Sequence, residues 1–337
     1  MGAACYFVHL ARFSGDGTHG HEHGPASVKW KWQAGLESTE RANPHRRPSS
    51  KENGMENPRQ AGKVVLITGS SSGIGLHAAV SAAQAGHHVI ATMRTPSKAD
   101  RLLSEAAKHG VTVEPWPLDV TDSEAIVDTV QRIHHEFGRL DVLINNAGAA
   151  QVGTVETLTD ADLRRAMDVN YFGVMALTRA ALPLLREVGG KVITVTSVGG
   201  VAGQPFNDAY CAAKFAVEGA MESLAPVAAA LGVGVVVVEP AAVASEFIAN
   251  AGMDSEHMVA EAGPYGPVLQ AYLARTAQSF AAAQDAGEVG ELLAQLITDV
   301  DPPFRVQTSP GATAFIARKL ADLDGTTVQA MTRTWLS

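Results

Sequence analysis

Between Lys63 and Glu239 the chain alternates short apolar runs with longer, helix-patterned segments, and this alternation limits the fold more than any other feature. Lys63-Val-Val-Leu-Ile-Thr68 is apolar at every inner position, as a strand buried on both faces must be. His88–Met93, Val111–Val120 with its exit loop, Leu140–Ile144, Lys191–Thr196 and Val233–Glu239 read as further strands. Helices are predicted over Gly73–Gly86, Lys98–His109, Asp122–Phe137, Asp160–Glu187 and Asp208–Leu231. Thr121 or Asp122 supplies an N-cap. Pro226 falls inside its helix and predicts a kink. Strands alternating with helices of this length imply βαβ units, right-handed crossovers and a doubly wound, mostly parallel sheet covered on both faces. Residues 245–283 read as irregular, broken by Gly263-Pro-Tyr-Gly-Pro267. A helix over 286–299, a short strand near Phe304–Gln307 and one or two helices complete the pattern.

The 337 residues allow one large domain or two small ones. Residues 1–54 stand apart: they carry seven basic and five acidic side chains and five of the twelve His, with no helical or strand period. They read as a disordered extension, and Met55 as an alternative translation start. Residues 55–337 read as a single folded domain, with 19 basic side chains against 30 acidic. That balance argues against nucleic-acid binding, which needs a basic face. Two cysteines, Cys5 and Cys211, make no disulfide framework. The longest apolar run, around Val233–Val238, is too short for a membrane span. Without a signal-peptide pattern at the N-terminus, the expectation is a soluble, cytoplasmic protein.

The first strand runs into Thr68-Gly69-Ser70-Ser71-Ser72-Gly73-Ile74-Gly75. A pyrophosphate needs close backbone approach and free N–H groups at a helix N-terminus, and glycine permits both. The spacing is G-x-x-x-G-x-G, and a strand before with a helix after gives a Rossmann-like dinucleotide site. The second strand ends Ala91-Thr92-Met93-Arg94, without the carboxylate that would accept from a ribose 2′-OH. Arg94 instead offers a fork suited to a 2′-phosphate, which favours NADP(H).

Ser197 follows the fifth strand, Tyr210 comes thirteen residues later, and Lys214 four beyond Tyr210. On a helix the last two share a face. A free phenol titrates at about 10, too high for a base at neutral pH, and a neighbouring ammonium lowers it. Tyr210 and Lys214 therefore make an acid/base pair for an alcohol proton, with Ser197 holding the same oxygen. No metal site is expected. His19, His21 and His23 could chelate, but read as part of a solvated tail.

Together these residues resemble the short-chain dehydrogenase/reductases. The resemblance covers about Lys63 to Phe247, and more weakly the rest. It is carried by TGSSSGIG at 68–75, LDV at 118–120, NNAG at 145–148, Asn170 in DVNYFG, Ser197 and YCAAK at 210–214. It implies a cofactor site made of Thr68, Gly69, Ser71, Ser72, Gly73, Ile74, Gly75, Arg94, Asp119, Val120, Asn146, Ala147, Gly148, Tyr210, Lys214, Pro240, Val243 and Ser245. Asp119 would lie near the adenine, Asn146 and Ala147 would line the cleft, and Ser245 would touch the carboxamide. Asn170 would complete the catalytic set with Ser197, Tyr210 and Lys214. The chain has Pro240-Ala241 where the family usually has Pro-Gly.

ATMR at 91–94 and the tail from Phe304 to Trp335 resemble the branch containing 17β-hydroxysteroid dehydrogenase type 1 and related retinol dehydrogenases. Pro264 and Pro267 stand where the steroid enzyme has His. The expected reaction is hydride transfer between NADP(H) and a hydrophobic secondary alcohol or ketone, the substrate left open among steroid, retinoid and other carbonyl types. An NAD-dependent dehydrogenase of the same fold and a non-catalytic dinucleotide-binding regulator are the alternatives. Residues 245–283 are the expected substrate loop. Apolar stripes on the helices at 160–187 and 208–231 suggest a homodimer or homotetramer.

Overall fold

The computed structural model describes residues 62–247 and 254–336. The expectations for residues 1–54, including the His19–His23 cluster and the start at Met55, lie outside the described residues.

Seven parallel strands form one sheet in the order β3-β2-β1-β4-β5-β6-β9. They are β1 (Val64–Thr68), β2 (His88–Met93), β3 (Glu114–Pro117), β4 (Val142–Asn145), β5 (Lys191–Val195), β6 (Gly234–Glu239) and β9 (Arg305–Gln307). A two-residue pair, β7 (Val243–Ala244) with β8 (Gln284–Asp285), stands apart from this sheet. Every residue of β1 and β4 is buried, because helices cover both faces. One core packs α1 (Gly73–Gln84), α2 (Ala99–Lys108) and α9 (Ala286–Thr298) onto one face of the sheet. The other packs α3 (Ser123–Phe137), α5 (Gly173–Val188) and α6 (Asp208–Ala229) onto the opposite face. Leu66, Leu143 and Leu177 are fully buried in this second layer. The expected doubly wound sheet is therefore what forms.

Local chemistry sets the joints. Asp122 caps α3 by accepting from the N–H groups of Glu124 and Ala125, and Gly138 ends it in the left-handed region at φ 66°. Asp141 Oδ2 accepts from Val64 N at 2.9 Å, while Asp141 N donates to Val64 O, which locks the start of β1 beside β4.

Two expectations change. The helix predicted over 160–187 is divided into α4 (Asp160–Met167) and α5 by a π-helical turn, Asp168–Phe172. A single such turn adds about one residue to the repeat, too brief a shift for the apolar pattern to locate. The segment 245–283, read as irregular, contains α7 (Ser255–Glu261) and α8 (Gly266–Ala281). Gly263 and Pro264 lie in the 3-10 turn before α8, and Pro267 sits in its first turn, where a missing N–H costs nothing. α10 (Pro310–Ala321) and α11 (Thr326–Arg333) follow β9. Among the described residues no helix is long and apolar enough to cross a membrane.

Candidate active site

The sheet order turns back between β1 and β4, so the loops leaving these strands part and open a crevice at their carboxyl ends. The two loops are stitched together. Thr68 Oγ1 accepts from the N–H groups of Asn146 and Ala147, both at 3.0 Å. Asn146 Nδ2 donates to Thr68 O at 2.8 Å and Gly69 O at 3.1 Å. The contact needs glycine. A β-carbon on Gly75 would lie 2.4 Å from Asn146 Nδ2 and from Gly69 O, and one on Gly69 would lie 2.8 Å from Ala147 Cα. Gly69 also sits at φ 70°.

α1 starts at Gly73 with Ser72 as N-cap, no side-chain cap bond and no acidic residue in its first turn. Its first N–H groups and positive dipole end therefore suit an anion. Gly73 and Ile74 open this turn against Ser245 and Val243 respectively. A β-carbon on Gly73 would lie 2.9 Å from Ser245 Cβ, and Ile74 packs with the buried Val243. Ser71 and Ser72 are partly exposed on the turn. The residues present thus fit the pyrophosphate of a dinucleotide: the backbone is bare, the donors are free and no carboxylate opposes it.

Arg94 follows β2, exposed and without an ion-pair partner among the described residues. Asp119 Oδ1 accepts from Thr121 N at 2.9 Å and from Thr121 Oγ1 at 2.7 Å, which fixes the loop after β3. Val120 packs on the start of α5, where a β-carbon on Gly173 would lie 2.7 Å from Val120 O. Pro240, buried after β6, accepts from Val198 N at 2.9 Å.

Two of the four expected catalytic residues, Asn170 and Lys214, meet at Gly148. A β-carbon there would lie 3.0 Å from Asn170 Oδ1 and 3.6 Å from Lys214 Nζ. Asn170 is fully buried on the π-helical turn. Its Oδ1 accepts from Ala149 N at 3.1 Å, and its Nδ2 donates to Ala149 O and Ala166 O, both at 3.0 Å. Lys214 is buried on α6 and donates to Val195 O at 3.0 Å, at the end of β5. Its Nζ stands 5.9 Å from the centre of the Tyr210 ring. Ser197 caps the short 3-10 turn Val198–Gly200, accepting from Gly199 N at 3.0 Å, and its Oγ and the Tyr210 ring both border Gly199.

Electrostatics depart from the sequence expectation that Lys214 lowers Tyr210. Tyr210 is partly exposed by surface area, but its hydroxyl is densely surrounded. Burial pushes it up to about 12, and Ser197 opposes that rise. Burial also brings Lys214 down to about 8, with Glu218 resisting. Tyr210 is thus a neutral phenol at physiological pH, beside a lysine that titrates just above it.

Three neighbours were not singled out from the sequence. Phe247 meets Tyr210 edge-on at 5.9 Å between ring centres. Gly199 lies against Ser197 Oγ, Cys211 Sγ and Tyr210 Cε1, each within 3.4 Å of where its β-carbon would be. Cys211 is buried, and its thiol is pushed up to about 11 by burial, which keeps it unreactive. Glu218 continues the spacing of Tyr210 and Lys214 by one more helical turn, a signal that the 3.6-residue period carries. Among the described residues no cluster of His, Cys, Asp or Glu could hold a metal ion.

The short chain dehydrogenase family model matches residues 63–256. The chain belongs to the short-chain dehydrogenase family. This short-chain dehydrogenase is 36% identical to 17-beta-hydroxysteroid dehydrogenase type 1 of Homo sapiens over 281 residues, covering 80% of this chain and 85% of that protein. It is 34% identical to retinol dehydrogenase 8 of Bos taurus, over 79% of this chain and 87% of the relative. The branch expected from ATMR and the C-terminal tail is therefore the one found. Among solved structures, a metagenomic short-chain oxidoreductase in complex with NADP superposes with a TM-score of 0.57 at 25% identity, over 73% of this dehydrogenase and 95% of that chain.

Proposed function

We propose that this short-chain dehydrogenase reduces a hydrophobic ketone or aldehyde with NADPH, and that Asn170, Ser197, Tyr210 and Lys214 carry the reaction. The observation that carries the reading is the meeting of Asn170 and Lys214 at Gly148, with Ser197 and Tyr210 side by side at Gly199 and Lys214 Nζ 5.9 Å from the centre of the Tyr210 ring. When bound, the nicotinamide supplies a hydride to the carbonyl carbon. The protein's own residues do the rest. The neutral Tyr210 phenol, titrating at about 12, donates its proton to the carbonyl oxygen as that oxygen gains charge. Ser197 holds the same oxygen by a hydrogen bond. Lys214, as an ammonium, stabilises the tyrosinate left behind, and Asn170 supports the return of a proton to it.

The TGSSSGIG turn and the α1 N-terminus hold the pyrophosphate, and Arg94 holds the 2′-phosphate. The remaining expected contacts, Asp119, Val120, Asn146, Ala147, Gly148, Pro240, Val243 and Ser245, line the same cleft. The NADP complex of the metagenomic relative supports the choice of cofactor. Substrate enters beside α7 and α8. There Phe206, Leu269 and Tyr272 form an apolar cluster with Val152, Met258 and Val259. The names of the steroid and retinol relatives agree with a substrate that is large and apolar. Exposed Phe172 and Phe215, beside α5 and on α6, fit a homodimer or homotetramer built on these helices. A cytoplasmic site of action agrees with the lack of a spanning helix among the described residues.

Turnover of a panel of ketones and aldehydes with NADPH and with NADH tests the reading. The expected result is turnover with kcat/KM higher for NADPH. A preference for NADH would overturn the role of Arg94. Dinucleotide binding without turnover on any carbonyl would favour a regulator instead.

A further inference from the structure

Tyr210, Lys214 and Glu218 stand at successive turns of one face of α6, and both Lys214 and Glu218 are buried. Glu218 touches the framework of the site at three places. Thr196, which immediately precedes Ser197, donates its hydroxyl to Glu218 Oε1. Gly200 ends the Ser197 turn, and a β-carbon there would lie 3.0 Å from Glu218 Cγ and 3.2 Å from Lys214 O. Arg305 on β9 places Nη1 2.9 Å from Glu218 Oε2. That oxygen receives no hydrogen bond, so charge alone holds it.

The charged groups around Glu218 are few. Lys214 and Glu222 share its helix, Glu239 ends β6, and Arg305 comes from the sheet's edge strand. Arg305 also bonds the fully buried Glu239 at 2.8 Å and the exposed Glu222 at 2.9 Å. Gln307 donates to the other oxygen of Glu239 at 2.5 Å. Two buried carboxylates thus face one guanidinium. Their charges balance only when Lys214 is an ammonium, and an unbalanced buried charge is expensive.

We propose that Glu218 is a positioning residue: its carboxylate, anchored by Thr196 and Arg305, keeps Lys214 an ammonium and fixes the turn that presents Ser197. The inference rests on the reading of Ser197, Tyr210 and Lys214 given above. Burial raises Glu218 to about 7, Thr196 resists, Glu239 adds to the rise, and Arg305 and Lys214 oppose it. Above that pH the carboxylate is charged through the range in which Lys214 titrates. β9, near the C-terminus, thereby reaches the reacting groups through a single arginine.

Glu218→Gln keeps the shape and the bond from Thr196 while removing the charge. The Lys214 titration is read directly by NMR of 13C-labelled lysine in the cofactor-free protein, with Lys214→Arg identifying the signal. In Glu218→Gln the Lys214 midpoint should fall by about one pH unit. The alkaline limb of kcat/KM should move down with it, whereas a purely structural role would lower the plateau and leave the limb in place. An unmoved midpoint overturns the proposal. Should Glu218→Gln fail to fold, Thr196→Val loosens the same carboxylate and is expected to lower the midpoint too; an unmoved midpoint there overturns it equally. A parent protein that turns over no carbonyl, yet shows the moved midpoint, upholds the link between the two side chains and defeats the reaction reading.

Discussion

Lys214 Nζ stands 5.9 Å from the centre of the Tyr210 ring, and burial moves the two groups in opposite senses, the phenol up to about 12 and the ammonium down to about 8. Carbonyl reduction needs both protons in place. Tyr210 keeps its proton throughout the accessible range, so the lysine sets the limit. kcat/KM for reduction should hold near neutral pH and fall as pH rises through about 8, where Lys214 loses its charge. Oxidation of the alcohol needs the tyrosinate and should rise with pH instead. Profiles in both directions between about pH 6 and pH 10 check this. A reduction rate still climbing above about pH 9 would remove Lys214 from the mechanism.

Tyr210→Phe deletes one oxygen and leaves the ring against Phe247 and Gly199. Fold and dinucleotide affinity should survive, while kcat should drop by about 10²–10⁴, the usual weight of a positioned acid. Circular dichroism, fluorescence titration with NADPH and single-turnover rates separate these effects. Near-normal turnover would sink the proton-donor role.

Arg94→Ser removes an exposed guanidinium that has no ion-pair partner among the described residues, so its effect on stability should be within about 0.5 kcal/mol. A charge-assisted bond to a 2′-phosphate contributes about 1.5–3 kcal/mol. KM for NADPH should therefore rise roughly 10- to 100-fold with NADH kinetics almost unchanged. Equal losses with both cofactors would point to a structural role for Arg94 instead.

The legible parts of this chain were those that one local rule decides. The fully buried β1 and β4 are apolar up to their last residues, Thr68 and Asn145, and a turn where a β-carbon on Gly75 would lie 2.4 Å from Asn146 Nδ2 needs glycine. The placing of Tyr210 and Lys214 on one face of a helix was legible because residue type and helical spacing coincide. Other features depended on partners far along the chain. The π-helical turn that carries Asn170 shifts the apolar period too briefly to be located from the pattern. Tyr210 titrates upward because burial outweighs the influence of Ser197, and burial is a tertiary property. Arg305 reaches Glu218 from 87 positions away, so no window along the sequence joins them. α8 was hidden by Gly263, Pro264 and Pro267, whose helix-breaking reputation does not apply at a helix start.

Among the described residues, Arg305 is the one cation that pairs with both Glu218 and Glu239, which are buried. Arg305→Met leaves these two carboxylates with Lys214 as their only neighbouring cation among the described residues and should cost about 3–5 kcal/mol. Arg305→Lys, with a single point charge in place of the fork, should cost less. Denaturant melts near neutral pH check the order, and equal stability for Arg305→Met and the parent would mean that the carboxylates take up protons instead of charge.

Two glycine substitutions should act in opposite directions. A β-carbon on Gly75 would lie 2.4 Å from Gly69 O and from Asn146 Nδ2, so the stitched loops of β1 and β4 must part to admit it. Gly75→Ala should cost about 1–3 kcal/mol, in the range of overpacking, and weaken dinucleotide binding by displacing the α1 N-terminus. Gly219 lies inside α6, exposed, with nothing within 4 Å of its would-be β-carbon. Gly219→Ala should stabilise by about 0.5–1 kcal/mol through helix propensity alone and leave NADPH affinity untouched. Thermal melts and fluorescence titrations of the two proteins read both outcomes. If Gly75→Ala bound NADPH as tightly as the parent, the crevice between β1 and β4 would not be where the pyrophosphate sits.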